Sequence, residues 1–388
     1  MPGFNPQVFI WARESAALDL EAAARALKIK PSSLAEVEAG AVDPSRPLLL
    51  RMAAAYRRSL LSLYLPAPPR KGHRGQDFRT VVEERAIGAE ASLDALSRDL
   101  LSRHGVVRST LEDDEDAARS SFVGSAALSD GVEAVADSIA QTLGFDLAAF
   151  RKQPTAEKAF ALLREKAEAA GVFVLLVGNL GSHHSAIPVE AFRGFAIADD
   201  LAPLVVINDQ DARAAWSFTL LHELAHLWLG ETGVSAGRAE QRVERFCNEV
   251  AARLLAPPRD MDAVVAAGLD EAALVALVSR LSAEWNVSRP MVAYRLMRAG
   301  KIAEDSWRGL DATLRELWAA ERQRERESKR AAKKSGPSYY VVRRQKLGRA
   351  MLDFASRSID AGTLSPAKAA QVLGVAPRGV FALLGGRR

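Results

Sequence analysis

The stretch FRGFAIADDLAPLVVINDQDARAAWSFTLLHELAHLWLG, Phe192 to Gly230, changes its period halfway along. FRGFAIAD (192–199) and LVVIND (204–209) are short apolar runs, which read as buried strands. DDLAP between them supplies the turn. Upstream, VFVLLVG (172–178) is a third run of the same kind, bounded by glycine. The spacing then becomes helical, with Asn208 or Asp209 placed to cap a long helix and Gly230 placed to let the chain leave it.

That helix carries FTLLHELAHLWLG (218–230). His222 and His226 are i and i+4, so their imidazoles leave the same face. Two neutral imidazoles at this spacing can bind one Zn²⁺. Glu223 lies about 100° further round, off the ligand face but within reach of a water on the metal, where a general base belongs. Leucines on every side make the surroundings apolar, which strengthens the field of a bound ion.

A catalytic zinc takes three protein ligands and keeps one open position. The continuation HLWLGETGVS has no third histidine, which excludes the metzincin pattern. The helix VERFCNEVAARLLAPP (243–258) can supply a carboxylate instead. Glu244 is the favoured third ligand, with Glu240 and Glu249 as competitors. Cys247 reads as a small core residue rather than a ligand.

Working outward, the sequence divides into five parts. Residues 1–66 form a helix-turn-helix domain, 67–150 a linker and helical region, and 151–300 the metal-binding core. Residues 301–335 form a charged helical tether and 336–388 a basic helical region. The fold class expected is α+β, mostly helical, with a small mixed β-sheet packed on the helix of His222. The first part reads as four or five short helices. Asp19 is an N-cap, Pro31 or Ser32 opens a helix, and Gly40 closes it. In the last part, GTLSPAKAAQVLGVAPRGVFALL again has helix-turn-helix spacing, with Lys368, Arg378, Arg387 and Arg388 as cations. No internal repeat stands out.

The net charge of +4 is unevenly spread. Residues 1–80 hold 12 Lys/Arg against 7 Asp/Glu, residues 81–319 hold 24 against 36, and residues 320–388 hold 16 against 5. Basic ends can meet phosphates or dock on an acidic surface. One cysteine excludes an intrachain disulfide. No run approaches the ~18–20 apolar residues of a membrane span, and the N-terminus lacks a signal-peptide pattern. A cytoplasmic location is therefore expected.

Two resemblances sharpen this reading. HELAH followed by ERFCNEVAARLLAP resembles the ImmA/IrrE family of metallopeptidases, with Glu244 on the family's zinc glutamate and Asn248 on its asparagine. Cys247 and Val250 depart from it, in place of alanine and phenylalanine. The similarity is strong over about residues 170–300. The first 60 residues resemble the Xre/Cro helix-turn-helix class. Their second helix, however, offers Ser32, Ser33, Glu36 and Glu38 and no cation, which suits protein docking as well as DNA.

The family resemblance implies a metalloendopeptidase with His222, His226 and Glu244 on one Zn²⁺, Mn²⁺ being the other ion possible there. Glu223 is implied as the catalytic base. The implied substrate is a helix-turn-helix repressor, whose cleavage would relieve repression of a stress, mobile-element or toxin-antitoxin operon. The alternative is a DNA-binding regulator or toxin-antitoxin component that uses the peptidase fold as a sensor or scaffold. An extended substrate is expected to add as a strand beside FRGFAIAD or LVVIND. His73 and His104 read as surface or linker residues, His183 and His184 as loop residues, and Arg193 as a structural anchor.

Overall fold

A computed structural model describes residues 4–69, 90–181, 185–232, 238–331 and 338–385. It divides into two compact units, Met1–Leu101 with Asn179–Ala191, and Ser102–Gly178 with Phe192–Arg388.

The first unit opens with α1 (Pro6–Glu14), α2 (Leu20–Leu27), α3 (Pro31–Glu38) and α4 (Arg46–Ala55), followed by a 3-10 turn at Leu60–Tyr64. The starts follow the local chemistry: Asp19 accepts from Ala22 N at 2.6 Å, and Pro31 and Pro47 sit in first turns where no amide donor is needed. One apolar cluster joins the four helices, including Phe9, Leu27, Leu34, Leu49, Met52 and Tyr56. Each such buried side chain contributes about 1.5–3 kcal/mol of transfer free energy. In Asn179–Ala191, Asn179 bridges Ala186, and Leu180 N donates to Ser185 Oγ at 3.0 Å.

Helix α5 (Glu90–Glu112) runs from the first unit's residues into the second's. The second unit continues with α6 (Gly131–Leu143), α7 (Leu147–Arg151) and α8 (Ala156–Ala169), then β1 (Phe173–Leu176), β2 (Gly194–Ile197) and β3 (Leu204–Ile207). The sheet order is β1-β3-β2, with β1 parallel and β2 antiparallel to β3. All four residues of β1 and of β3 are buried. That is why these strands read as continuous apolar runs rather than as alternating ones.

Next come α9 (Trp216–Leu229), α10 (Arg238–Leu255), α11 (Pro258–Asp262), α12 (Glu271–Trp285), α13 (Arg289–Arg298) and α14 (Glu304–Ala331). The chain closes with α15 (Tyr339–Asp360), α16 (Pro366–Leu373) and α17 (Val380–Leu383), the last led in by a 3-10 turn at Pro377–Gly379. Helix α9 packs on β2, β3, α6, α8 and α10. Its apolar neighbours form one cluster that runs from Ile139 and Leu163 through Val205, Leu220 and Leu224 to Val250 and Leu296. The architecture is mostly helical with one small mixed sheet, as the sequence led us to expect.

One expectation fails. Neither Asn208 nor Asp209 caps the long helix, which starts at Trp216 without a side-chain cap. Asn208 instead secures the end of β3: its Oδ1 accepts from Gln210 N at 3.0 Å and its Nδ2 donates to Phe192 O at 3.0 Å. A buried amide with two backbone partners already engaged has no reason to wait for a helix eight residues on.

Helix α15 covers β1. Phe173 and Phe354 meet edge to face with centroids 5.9 Å apart. Two buried side chains of α8 clasp the helix where Gly348 (φ 77) breaks it. Arg164 donates to Gln345 O at 2.5 Å and to Lys346 O at 3.2 Å, and also to Val174 O on β1. Glu168 binds Arg164 and accepts from Arg349 N at 3.0 Å and Ala350 N at 3.3 Å. A Cβ on residue 348 would lie 2.0 Å from Glu168 Oε1, so glycine is required there for both space and backbone.

Candidate metal centre

Helix α9 is buried almost all round. Trp216, Leu220, Leu221, Leu224, Ala225, Leu227 and Trp228 are in the core. Trp228 stacks on Phe122 at 4.3 Å, and its indole donates to Ser138 Oγ at 3.0 Å. At the far end the backbone of residues 124–126 takes up carbonyls of the last turn, through Gly124 N to Leu227 O and Ala126 N to Trp228 O, both 2.9 Å. The helix is thus fixed at its C-terminal end close to His226, and the position of the histidines follows from the core rather than from a loop.

Helix α10 packs along α9 through Val243, Cys247, Val250, Ala251 and Leu254. This stripe at three- and four-residue spacing puts Glu244 beside the two rings. Glu244 Oε2 lies 3.3 Å from His222 Nε2, and Glu244 Oε1 lies 3.2 Å from His226 Nε2. The two Nε2 atoms are 3.1 Å apart. As lone-pair donors, three such atoms repel one another unless a cation lies between them. Their separations are close to the ~3.3 Å edge of a tetrahedron with bonds of about 2.0–2.1 Å, as zinc forms with nitrogen and oxygen. His222, His226 and Glu244 could therefore hold a metal ion, and they form a cluster of the right composition for one. Burial by itself would raise the Glu244 carboxyl, but hydrogen bonds and charge from His222 and His226 outweigh that and hold it well below the usual carboxylate range. Both Nδ1 atoms are buried with no hydrogen-bond partner among the described residues. Packing therefore orients the rings, including a stacked contact between Phe218 and His222 at 6.4 Å.

Glu223 is buried, and burial pushes its carboxyl up to about 8, opposed by His226 and reinforced by Glu244. It lies against β2 at one point. A Cβ built on Gly194 would come 2.6 Å from Thr219 Cγ2, 2.8 Å from Glu223 Oε1 and 3.1 Å from Glu223 Cγ. Only a glycine lets the strand and the Glu223 side chain share that space.

Of the two competing carboxylates, one is accounted for. Glu249 is engaged elsewhere, with Arg298 at 2.9 Å and Arg295 at 3.3 Å. The Glu240 side chain lies outside the described residues, as do His73, His183 and His184. Cys247 is fully buried on the core face of α10, and burial raises its thiol. Arg193 pairs with Asp211 at 3.0 Å. His104 is not a surface residue: its ring is mostly buried, Nε2 meets Ala202 O at 3.0 Å, and burial lowers its pKa. Gly194 escaped the sequence reading. Its signal was an isolated glycine in a strand pattern, which marks close approach by another group.

Searches of curated proteins and of solved structures return no match. Family models do match. Residues 11–61 match a helix-turn-helix domain. Residues 181–297, which hold β2, β3 and α9 to α13 almost whole, match the IrrE N-terminal-like domain of peptidase M78. The chain therefore combines an IrrE-like peptidase M78 domain with an N-terminal helix-turn-helix domain.

Proposed function

We propose that this protein is a zinc-dependent endopeptidase that cuts a helix-turn-helix repressor and so relieves repression of a stress, mobile-element or toxin-antitoxin operon. The observation that carries the reading is the convergence of His222 Nε2, His226 Nε2 and Glu244 within 3.3 Å, with the buried Glu223 one residue along the same helix. Zn²⁺ bound by these residues would supply an acidified water and a Lewis acid for the scissile carbonyl, and Mn²⁺ would serve the same donors.

The chain's own part is proton handling and positioning. Burial sets Glu223 near 8, and a cation at the triad would draw it back toward the ionised form. Its carboxylate can then accept a proton from the attacking water and pass it to the leaving amine. That side chain lies against the backbone of Gly194, where Thr219 Cγ2 also packs. Strand β3 is paired on both sides and β1 is covered by α15, so β2 is the strand of this sheet to which an extended peptide could add.

The test is a pair of substitutions in the full chain. Glu223→Gln should keep one metal per chain and lower cleavage of the repressor by at least ~100-fold, the scale of lost general-base catalysis. His222→Ala should lose the metal as well. Wild-type cleavage by Glu223→Gln would remove the catalytic assignment.

A further inference from the structure

One backbone turn occurs four times among the described residues: at Gly144, where it leads into the five-residue α7, and in three further copies. In each case a helix ends, a single residue takes the left-handed conformation, two residues follow and a second helix begins. Lys28 has φ 56 and ψ 46, Asn286 φ 56 and ψ 37, and Gly374 φ 57 and ψ 44. The next amide then donates back into the first helix: Ile29 N to Ala24 O at 3.1 Å, Val287 N to Ser282 O at 3.1 Å, and Val375 N to Ala370 O at 3.0 Å. The first and third of these three copies also share their packing. Ala23, Ala24, Leu27, Leu34 and Val37 are buried in one, and Ala369, Ala370, Leu373, Val380 and Leu383 in the other, position for position. Pro31 and Pro377 open the two second helices. The sequence hides this repeat because only the buried positions and the turn are kept.

The outward faces decide what each copy can do. In the middle copy, Met291, Val292, Ala293, Arg295 and Leu296 are buried, and α13 is packed between α12 and α14, so its second helix faces protein. In the first copy the second helix exposes Ser32, Ser33, Ala35 and Glu36 and no cation, the exposed cations Arg25, Lys28 and Lys30 lying on the first helix and in the turn. In the third it exposes Arg378, Phe381 and Ala382, with Lys368 exposed on the preceding helix. Residues 336–388 hold 9 Lys/Arg against 2 Asp/Glu. Arg387 and Arg388 belong to that count and lie outside the described residues.

The third copy is also held ready. Arg343 donates to Leu373 O at 2.6 Å, and Arg344 donates to Leu383 O at 2.5 Å and Ala382 O at 2.9 Å, which fixes the ends of both helices. These arginines are spent on structure, which leaves Lys368 and Arg378 for a partner. The second helical stretch, a 3-10 turn with Arg378 continued by the one-turn α17, exposes a cation beside an aromatic and a small residue, a set that suits the major groove of duplex DNA: cations for phosphates and guanine, apolar groups for thymine methyls.

We infer that residues 365–384 form a second helix-turn-helix whose partner is double-stranded DNA, and that this copy, rather than the N-terminal one, makes the protein's main DNA contact. The full-length Glu223→Gln protein is titrated with a random-sequence duplex pool of about 40 base pairs across a salt series. Replacing Lys368 and Arg378 by alanine together should weaken binding about tenfold and lower the log–log salt slope by about 2. Ser32→Ala with Glu36→Ala should leave both unchanged. All four residues are exposed, and an unchanged circular dichroism spectrum certifies each fold. Three outcomes would overturn the inference: no salt-dependent binding by the parent, equal binding by the Lys368/Arg378 variant, or loss of binding confined to the N-terminal variant. The first of these would mark the face as a protein-docking surface.

Discussion

At the scale of single residues, Gly194 is the sharpest test of the site. A methyl group there meets Thr219 Cγ2 at 2.6 Å and Glu223 Oε1 at 2.8 Å. Threonine is stiff at χ1, so the longer Glu223 side chain yields and its carboxylate moves. Gly194→Ala should therefore keep the metal and lower kcat by about 100-fold, the usual effect of misplacing a reacting group by about 1 Å. Metal analysis beside a peptidase assay checks this; loss of the metal would show that the glycine serves the fold instead. The histidines and Glu223 were legible because helical periodicity alone puts them on known faces. The choice among Glu240, Glu244 and Glu249 was not, since spacing cannot say that Arg295 and Arg298 take up Glu249. Gly194 was hidden for a related reason: its neighbour lies 29 residues on in the chain, and the contact exists only after the sheet and α9 have packed.

Among the elements, the clasp between α8, β1 and α15 rests on one buried ion pair. Arg164 and Glu168 are each less than a tenth exposed. A buried charge left without its partner costs about 3–5 kcal/mol. Glu168→Gln should lower stability by about 3 kcal/mol and also withdraw charge from the two amides at the restart of α15. Hydrogen exchange should then quicken at Phe173–Leu176 and at residues 349–355. An unchanged Tm would refute the clasp. The elements themselves were largely readable. Apolar runs gave the three strands, and Asp19 and Pro31 gave helix starts. The start of α9 was misjudged because Asn208 found backbone partners at Gln210 and at the distant Phe192, which no periodicity reveals.

For the molecule as a whole, the metal is expected to add stability as well as chemistry. The three residues that could hold it come from two helices, so a bound ion would tie α9 to α10 and favour the folded state by mass action. Dialysis against a chelator should abolish hydrolysis and lower Tm by several degrees, roughly what ~2–3 kcal/mol produces in a chain of this size; calorimetry with zinc added back measures it. An identical Tm with and without chelator would mean that the triad holds no ion.

The cover over β1 has a consequence for how the chain can be shortened. The family match ends at residue 297, yet the helix that shields the sheet's first strand begins at Tyr339. A fragment that keeps β1, which precedes the matched region, but stops at residue 297 would bare one flank of a wholly apolar strand, an invitation for neighbouring molecules to stack on it. Removing the last fifty residues while keeping β1 should therefore raise the tendency of the chain to self-associate, which size-exclusion chromatography of the shortened chain checks.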